Sequence, residues 1–126
     1  MSAHFNHTII AATDPAESAQ FYVDILEAEH TTSWGVFSNI VLSDGVMLQF
    51  ASPPPGFDIL PVHMAFLCTE EHFDRAVDLL KTRGLDFWAD PQRTRLHETN
   101  EEHGGRGVYF LDPSGMYLEL ITKPYL

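Results

Sequence analysis

Residues 104–122 read GGRGVYFLDPSGMYLELIT: two apolar runs rich in strand-forming residues, on either side of Asp112-Pro113-Ser114-Gly115. Proline second and glycine fourth suit a type I turn that ends in a left-handed residue, the three-residue bulged hairpin loop. Such a loop pairs Asp112 with Met116. Counting back, Leu111 faces Tyr117 and Tyr109 faces Glu119, and residues directly opposite point to the same side of a sheet. A two-residue loop would turn Tyr109 to the other face; the turn chemistry favours the bulge. Tyr109 is therefore expected beside Glu119, a carboxylate in an apolar strand. Such a group is costly to bury unless something pairs with it.

Working outward, Leu96 to Gly105 is polar, ends in two glycines and reads as a loop. Upstream lie a short strand near Asp86–Asp90, a helix near Glu70–Arg83 and a strand near Val62–Cys68. Thr69 caps the helix, Gly84 stops it, and Phe73, Ala76, Val77 and Leu80 form its apolar stripe. The first half repeats the plan. A strand at Phe5–Ala12 leads into a helix at Asp14–Leu26, with Asp14 as cap, Pro15 at its first position and Glu17 completing a capping box. Phe21, Tyr22, Ile25 and Leu26 make its apolar face. Strands follow near Glu29–Trp34, Phe37–Leu42 and Val46–Ala51, the last two joined by Asp44-Gly45, a tight-hairpin signal. Prolines 53 to 55 mark a linker between the halves. Strand, helix and three strands, twice, predict an α+β fold: two βαβββ modules, about 1–56 and 57–126, in one domain of 126 residues.

Composition narrows the partners. Asp and Glu number 18 against 7 Lys and Arg, a formal charge of −11, which argues against nucleic acid. The charge permits a cationic ligand, although a solvated acidic surface is the plainer explanation. No run approaches the length of a membrane span, and no basic start followed by an apolar run suggests a secretory signal. Cys68 has no partner for an internal disulfide and reads as a buried core thiol. A cytoplasmic setting is expected.

Three strands each carry one metal-type side chain in apolar surroundings: His7 in HTIIAA, His63 in VHMAFLC and Glu119 in YLELI. Two histidines and a carboxylate are a facial set that binds a divalent metal and leaves positions open for substrate. His7 and His63 take equivalent places in the first strand of their halves. Gln49, in VMLQF, takes in the first half the place of Glu119 and is a weaker fourth donor. Each has a plainer reading: a hydrogen-bonded strand histidine, a Glu119 paired with Arg106 or Lys123, a Gln49 facing solvent. Tyr109, beside Glu119, could hold or protonate a bound oxygen, and His103 in the polar loop could serve as acid or base. Arg106 could bind an anionic substrate group or stabilise Glu119. Trp34, Phe50, Trp88 and Tyr117 are pocket-lining candidates, with core packing the safer reading for each.

These residues resemble the vicinal oxygen chelate superfamily, which contains glyoxalase I, extradiol dioxygenases, fosfomycin-resistance enzymes and bleomycin-binding proteins. The matching segments are NHTIIAATD…SAQFYVDIL, VHMAF with the helix after it, and GGRGVYFLDPSGMYLELIT. VYFLDPSGMYLE looks like the later part of the extradiol dioxygenase signature, with Tyr109 ten residues before Glu119. His7 and His63 match the ligand histidines. The first helix ends Leu26-Glu27 where the family usually has Leu-Gly, and His103 stands one position closer to the tyrosine strand than the signature histidine. The resemblance implies strands curled into a cup-shaped mixed β-sheet with helices outside, and a homodimer. It also implies a divalent metal, with Fe(II) first and Mn(II), Zn(II) or Ni(II) as options. The implied activity is on a small-molecule substrate that offers two adjacent oxygens, dioxygenase-like or glyoxalase-like. Glyoxalase I is less favoured, because its bacterial forms usually carry a carboxylate at the place of Gln49. The alternatives are a bleomycin-resistance type protein that sequesters a cationic ligand in an acidic dimer cleft, or a ligand-sensing module.

Overall fold

The computed structural model describes residues 1–126. The chain divides into two compact units, Met1–Leu60 and Pro61–Leu126. Each is a βαβββ module with an open four-stranded mixed sheet, so the fold is α+β.

The first unit contains β1 (His7–Ala11), α1 (Pro15–Leu26), β2 (Glu29–His30), β3 (Ser38–Val41) and β4 (Met47–Ala51), with sheet order β1-β4-β3-β2. β1 runs parallel to β4, and the other pairs are antiparallel. The helix starts where the Asp14 carboxylate accepts the Glu17 amide at 3.2 Å, with Pro15 behind it. Its Phe21, Tyr22, Ile25 and Leu26 are buried, as are Ile10, Ile40, Leu48 and Phe50 on one face of the sheet. The Tyr22 and Phe50 rings lie 4.6 Å apart.

The second unit repeats the order: β5 (His63–Leu67), α2 (Glu70–Thr82), β6 (Phe87–Trp88), β7 (Gly107–Leu111) and β8 (Tyr117–Ile121), ordered β5-β8-β7-β6. Thr69 caps α2 by accepting the His72 amide at 3.1 Å, and Gly84 ends it at φ +68°. Phe73, Ala76, Val77 and Leu80 are buried together with Val108, Phe110, Leu118 and Leu120. Alternation along the strands sends Tyr109, Tyr117 and Glu119 to the opposite face, away from this core.

The hairpin that decides the register has the expected bulged loop. The Asp112 amide reaches the Met116 carbonyl at 3.0 Å, the Gly115 amide reaches the Asp112 carbonyl at 3.1 Å, and Gly115 sits at φ +91°. Tyr109 consequently stands opposite Glu119. The Asp44-Gly45 turn is the same device rather than a two-residue turn: Leu42 amide to Val46 carbonyl at 2.9 Å, Gly45 amide to Leu42 carbonyl at 2.9 Å, and Gly45 at φ +90°. Both units therefore close their last hairpin identically, and their faces are in equivalent register.

Three sequence expectations change. The strand expected at Glu29–Trp34 keeps only Glu29–His30, because residues 31–37 fold into a loop whose Thr32 and Ser33 hydrogen-bond Asn39. The strand expected at Asp86–Asp90 shortens to Phe87–Trp88, since the Asp90 carboxylate turns the chain by accepting the amides of Thr94 and Arg95. Cys68 is half-buried at the end of β5 rather than enclosed in the core.

Candidate metal centre

In the second unit, one sheet face gathers His63, Tyr109, Tyr117 and Glu119. His63 stands on β5 against Tyr117 of β8, and Glu119 lies two residues further along the same face. Glu119 is only 3% exposed. No lysine or arginine reaches it. Its Oε1 lies 3.2 Å from His63 Nε2, and its Oε2 accepts the hydroxyl of Tyr125 at 2.6 Å.

The His63 ring carries the informative contact. Its Nδ1 lies 2.9 Å from the Tyr117 carbonyl oxygen. A carbonyl only accepts, so Nδ1 bears a hydrogen, and in the neutral ring Nε2 presents its lone pair. Nε2 then faces the lone pairs of Glu119 Oε1. Two acceptors held 3.2 Å apart require a cation between or beside them, either a proton on the imidazole or a metal ion. A backbone carbonyl that fixes one imidazole nitrogen while the other is left to ligate is the usual outer support of a histidine ligand.

The surrounding phenols reinforce the negative centre. The Tyr109 ring lies 6.1 Å from that of His63, with planes 25° apart. Burial, then the hydroxyl of Tyr125, then the charge of Glu119 push the Tyr109 phenol well above its ordinary range. Tyr125 is raised first by its hydrogen bond to Glu119 and then by burial, while its contact with Tyr109 works the other way. Tyr125 is the donor to Glu119. The His103 ring stacks on Tyr125 at 4.1 Å. Tyr117 tilts against His63 at 5.9 Å, donates its hydroxyl to the Pro91 carbonyl and lies under the Arg93 guanidinium at 5.4 Å. Its phenol is raised by burial.

Arg106 is not with them. It precedes β7 and points to the helix side, where Nε meets Glu70 at 2.7 Å, Nη1 meets Asp74 at 2.8 Å and the guanidinium covers the Phe73 ring at 4.5 Å. The expectation that Arg106 binds substrate or stabilises Glu119 is corrected on this ground: two α2 carboxylates already hold its charge on the other face. His103 touches Tyr125 rather than Glu119, so it reaches the carboxylate only through the phenol.

In the first unit, His7 and Gln49 share one face. His7 pairs with Met47, and Gln49 lies two residues further along, opposite Ile9. His7 is exposed, and its Nδ1 lies 2.7 Å from Asn6 Oδ1. With that amide oxygen accepting, Nε2 again presents the lone pair. Gln49 is 4% exposed rather than solvent-facing. Opposite it stands Asn39, 1% exposed, whose Nδ2 donates to the Thr32 carbonyl at 2.9 Å while its Oδ1 finds no partner. The structure contains no group of three or more His, Cys, Asp or Glu side chains placed to hold a metal ion. Each unit offers two candidate donors at equivalent positions.

Sequence reasoning missed Tyr125 and Asn39. Tyr125 follows the last strand in a segment with no periodicity. Asn39 was accessible: the bulged loop read at Gly115, applied also at Gly45, places Asn39 opposite Gln49 as Tyr109 is opposite Glu119.

Each βαβββ module carries on one sheet face a histidine beside an oxygen side chain, His63 with Glu119 in one and His7 with Gln49 in the other. The chain belongs to the Glyoxalase/Bleomycin resistance protein/Dioxygenase superfamily, whose family model matches residues 4–120. Among solved structures it is similar to the oxidase ChaP-H2, with 42% identity, 99% of this chain and 97% of that chain covered, and a TM-score of 0.93. It is also similar to the oxidase ChaP-H1, with 40% identity, 98% of each chain covered and a TM-score of 0.91. Among curated proteins it is 28% identical to the glutathione transferase FosA of Serratia marcescens, over 95% of this chain and 81% of that protein. No helix is long and apolar enough to cross a membrane.

Proposed function

We propose that the chain is a metal-dependent enzyme of the vicinal oxygen chelate type, an oxidase or dioxygenase whose substrate offers two adjacent oxygens. His7, His63 and Glu119 hold the divalent metal, with Gln49 as a fourth, weaker donor. The carrying observation is the approach of His63 Nε2 to Glu119 Oε1, 3.2 Å apart at a 3% exposed carboxylate that no lysine or arginine reaches. The equivalent register of His7 and Gln49 supports the rest of the set. A divalent ion bound there supplies Lewis acidity to two substrate oxygens and, if it is redox-active, a route for electrons to oxygen. Fe(II) is the first choice for an oxidase; Mn(II), Zn(II) and Ni(II) suit the same donors.

The chain's own residues do the remaining work. The Tyr117 carbonyl and Asn6 amide orient the two imidazoles, Tyr125 holds one carboxylate oxygen, and the protonated Tyr109 phenol is available to donate to a substrate oxygen beside Glu119. The preference for oxidase over glyoxalase rests on the 42% identity to ChaP-H2 and on a neutral Gln49 in place of a carboxylate. The charge of −11 favours one other reading, a homodimeric binding protein that sequesters a cationic ligand without chemistry.

One experiment separates them: elemental analysis of the purified protein, followed by anaerobic Fe(II) reconstitution and oxygen uptake with catechols. Stoichiometric metal, lost in His63→Ala, and uptake by the wild type support the enzyme. Absence of stoichiometric metal, with His63→Ala unchanged, removes it.

A further inference from the structure

We propose that Tyr125, in the segment after the last strand, is a positioning residue that makes Glu119 a one-oxygen ligand and so sets the affinity and geometry of the metal centre. The inference rests on the metal reading of His63 and Glu119 and goes beyond it. The Tyr125 hydroxyl donates to Glu119 Oε2 at 2.6 Å, a length typical of a strong bond to an ionised carboxylate. That oxygen is thereby occupied, and Oε1 alone is turned toward His63 Nε2 at 3.2 Å. Without the hydroxyl, both carboxylate oxygens compete for the ion and the side chain is free to rotate into two-oxygen binding.

Tyr125 is itself held. The His103 ring stacks on it at 4.1 Å, with planes 29° apart. His103 adopts φ +56°, a left-handed conformation that few non-glycine residues take, within the turn Glu102–Gly104. Gly105 follows where a Cβ would come within 2.6 Å of Lys123 and Thr122, so the loop and the C-terminal segment lie in close contact just ahead of Tyr125. His103 acts here as the platform that keeps the phenol over Glu119, not as the acid or base. Loss of an outer partner of a metal ligand costs about 10- to 100-fold in metal affinity.

The test is Co(II) titration of the metal-free full chain, read by dissociation constant and visible spectrum, for wild type, Tyr125→Phe, His103→Ala and Glu119→Gln. Thermal melts of the metal-free proteins report folding. Tyr125→Phe keeps the ring and its stacking, so its melt stays near wild type. Its Co(II) affinity falls by about 10- to 100-fold and its spectrum shifts with the changed coordination, and His103→Ala gives a smaller change in the same direction. Wild-type affinity and spectrum in Tyr125→Phe, with binding lost in Glu119→Gln, overturn the role of Tyr125 and leave the metal reading standing. If wild type binds no Co(II), both fall.

Discussion

Gln49 holds in the first sheet the place that Glu119 holds in the second. Each lies two residues along the same face from the partner of a strand-leading histidine: His7 with Met47 and then Gln49, His63 with Tyr117 and then Glu119. The chain thus presents one charged and one neutral oxygen donor at equivalent positions. That difference sets the net charge any metal centre built from them would carry.

The first prediction follows from that difference. Gln49→Glu places an ionised carboxylate at a site 4% exposed and opposite Asn39. Without metal, the buried charge destabilises the protein by at least about 1 to 3 kcal/mol. With saturating Mn(II) the added ligand repays this, so the metal-induced rise in melting temperature is larger than in wild type. Thermal melts with chelator and with Mn(II) measure both. Equal metal-induced rises in the two proteins would remove Gln49 from the donor set.

A second prediction concerns the turn that sets the register. Asp112 is 5% exposed, and its carboxylate accepts the Ser114 and Met116 amides, each at 2.8 Å. Asp112→Ala leaves both donors without that acceptor and costs about 1 to 3 kcal/mol. Gly115→Ala forces a side chain onto a residue at φ +91° and costs about 1 to 2 kcal/mol. Urea unfolding gives these values. Because the loop fixes Tyr109 opposite Glu119, metal affinity should fall in the same variants; loss of stability alone would mean that the strands hold their register without the turn.

Most of the fold was written in local chemistry. Asp14 with Pro15, Thr69 with Gly84, and the proline-glycine turn at 112–115 are each decided by residues within a few positions of one another, and the elements they bound were read correctly. The strand lengths that failed were set by side-chain hydrogen bonds that apolar alternation does not reveal. Asp90 shortens β6 by bonding forward to Thr94 and Arg95, and Asn39 draws the 31–37 loop across its strand. In the candidate site, Glu119 and Tyr109 were legible because a hairpin is local. Arg106 was misplaced because its partners Glu70 and Asp74 lie 36 and 32 residues away on α2. Nothing in the sequence says that Tyr125 folds back onto a residue of the preceding strand.

A third prediction is alkaline. Tyr109 is pushed above its ordinary range by burial first, Tyr117 by burial, and Tyr125 by its bond to Glu119 and then burial. A phenol is neutral when protonated, so these groups stay neutral in the folded chain at pH values where the unfolded chain ionises. Their contribution is complete below the unfolded value of about 10 and is lost as pH rises above it, because the unfolded state then binds fewer protons. Urea midpoints of the chelator-treated protein should therefore be insensitive to these groups near neutrality and fall steeply from about pH 10. Tyr109→Phe should flatten part of that fall. Phenolate absorbance of the folded protein should show these three tyrosines titrating later than in urea; ordinary titration of all three would contradict the packing around Glu119.

The last prediction tests the end of α1. Glu27 ends the helix at φ +54° and ψ +39°, the left-handed conformation that glycine adopts freely and other residues adopt at a cost. The family pattern of Leu-Gly at this point is the physically easier choice, and this chain has Leu26-Glu27. Glycine at position 27 removes the clash between Cβ and the backbone but loosens the unfolded chain, and the two effects oppose each other. The steric relief, about 1 to 2 kcal/mol, exceeds the entropic loss of about 0.4 to 1 kcal/mol. Glu27→Gly should therefore stabilise the protein by up to about 1 kcal/mol, while Glu27→Val, β-branched at a left-handed position, should destabilise it by more than that. Urea midpoints of the three proteins decide the matter. Destabilisation by glycine would mean that contacts of the Glu27 side chain outweigh the backbone strain. Metal affinity should be the same in all three, because residue 27 follows a helix whose buried residues pack on the face of the sheet opposite His7 and Gln49.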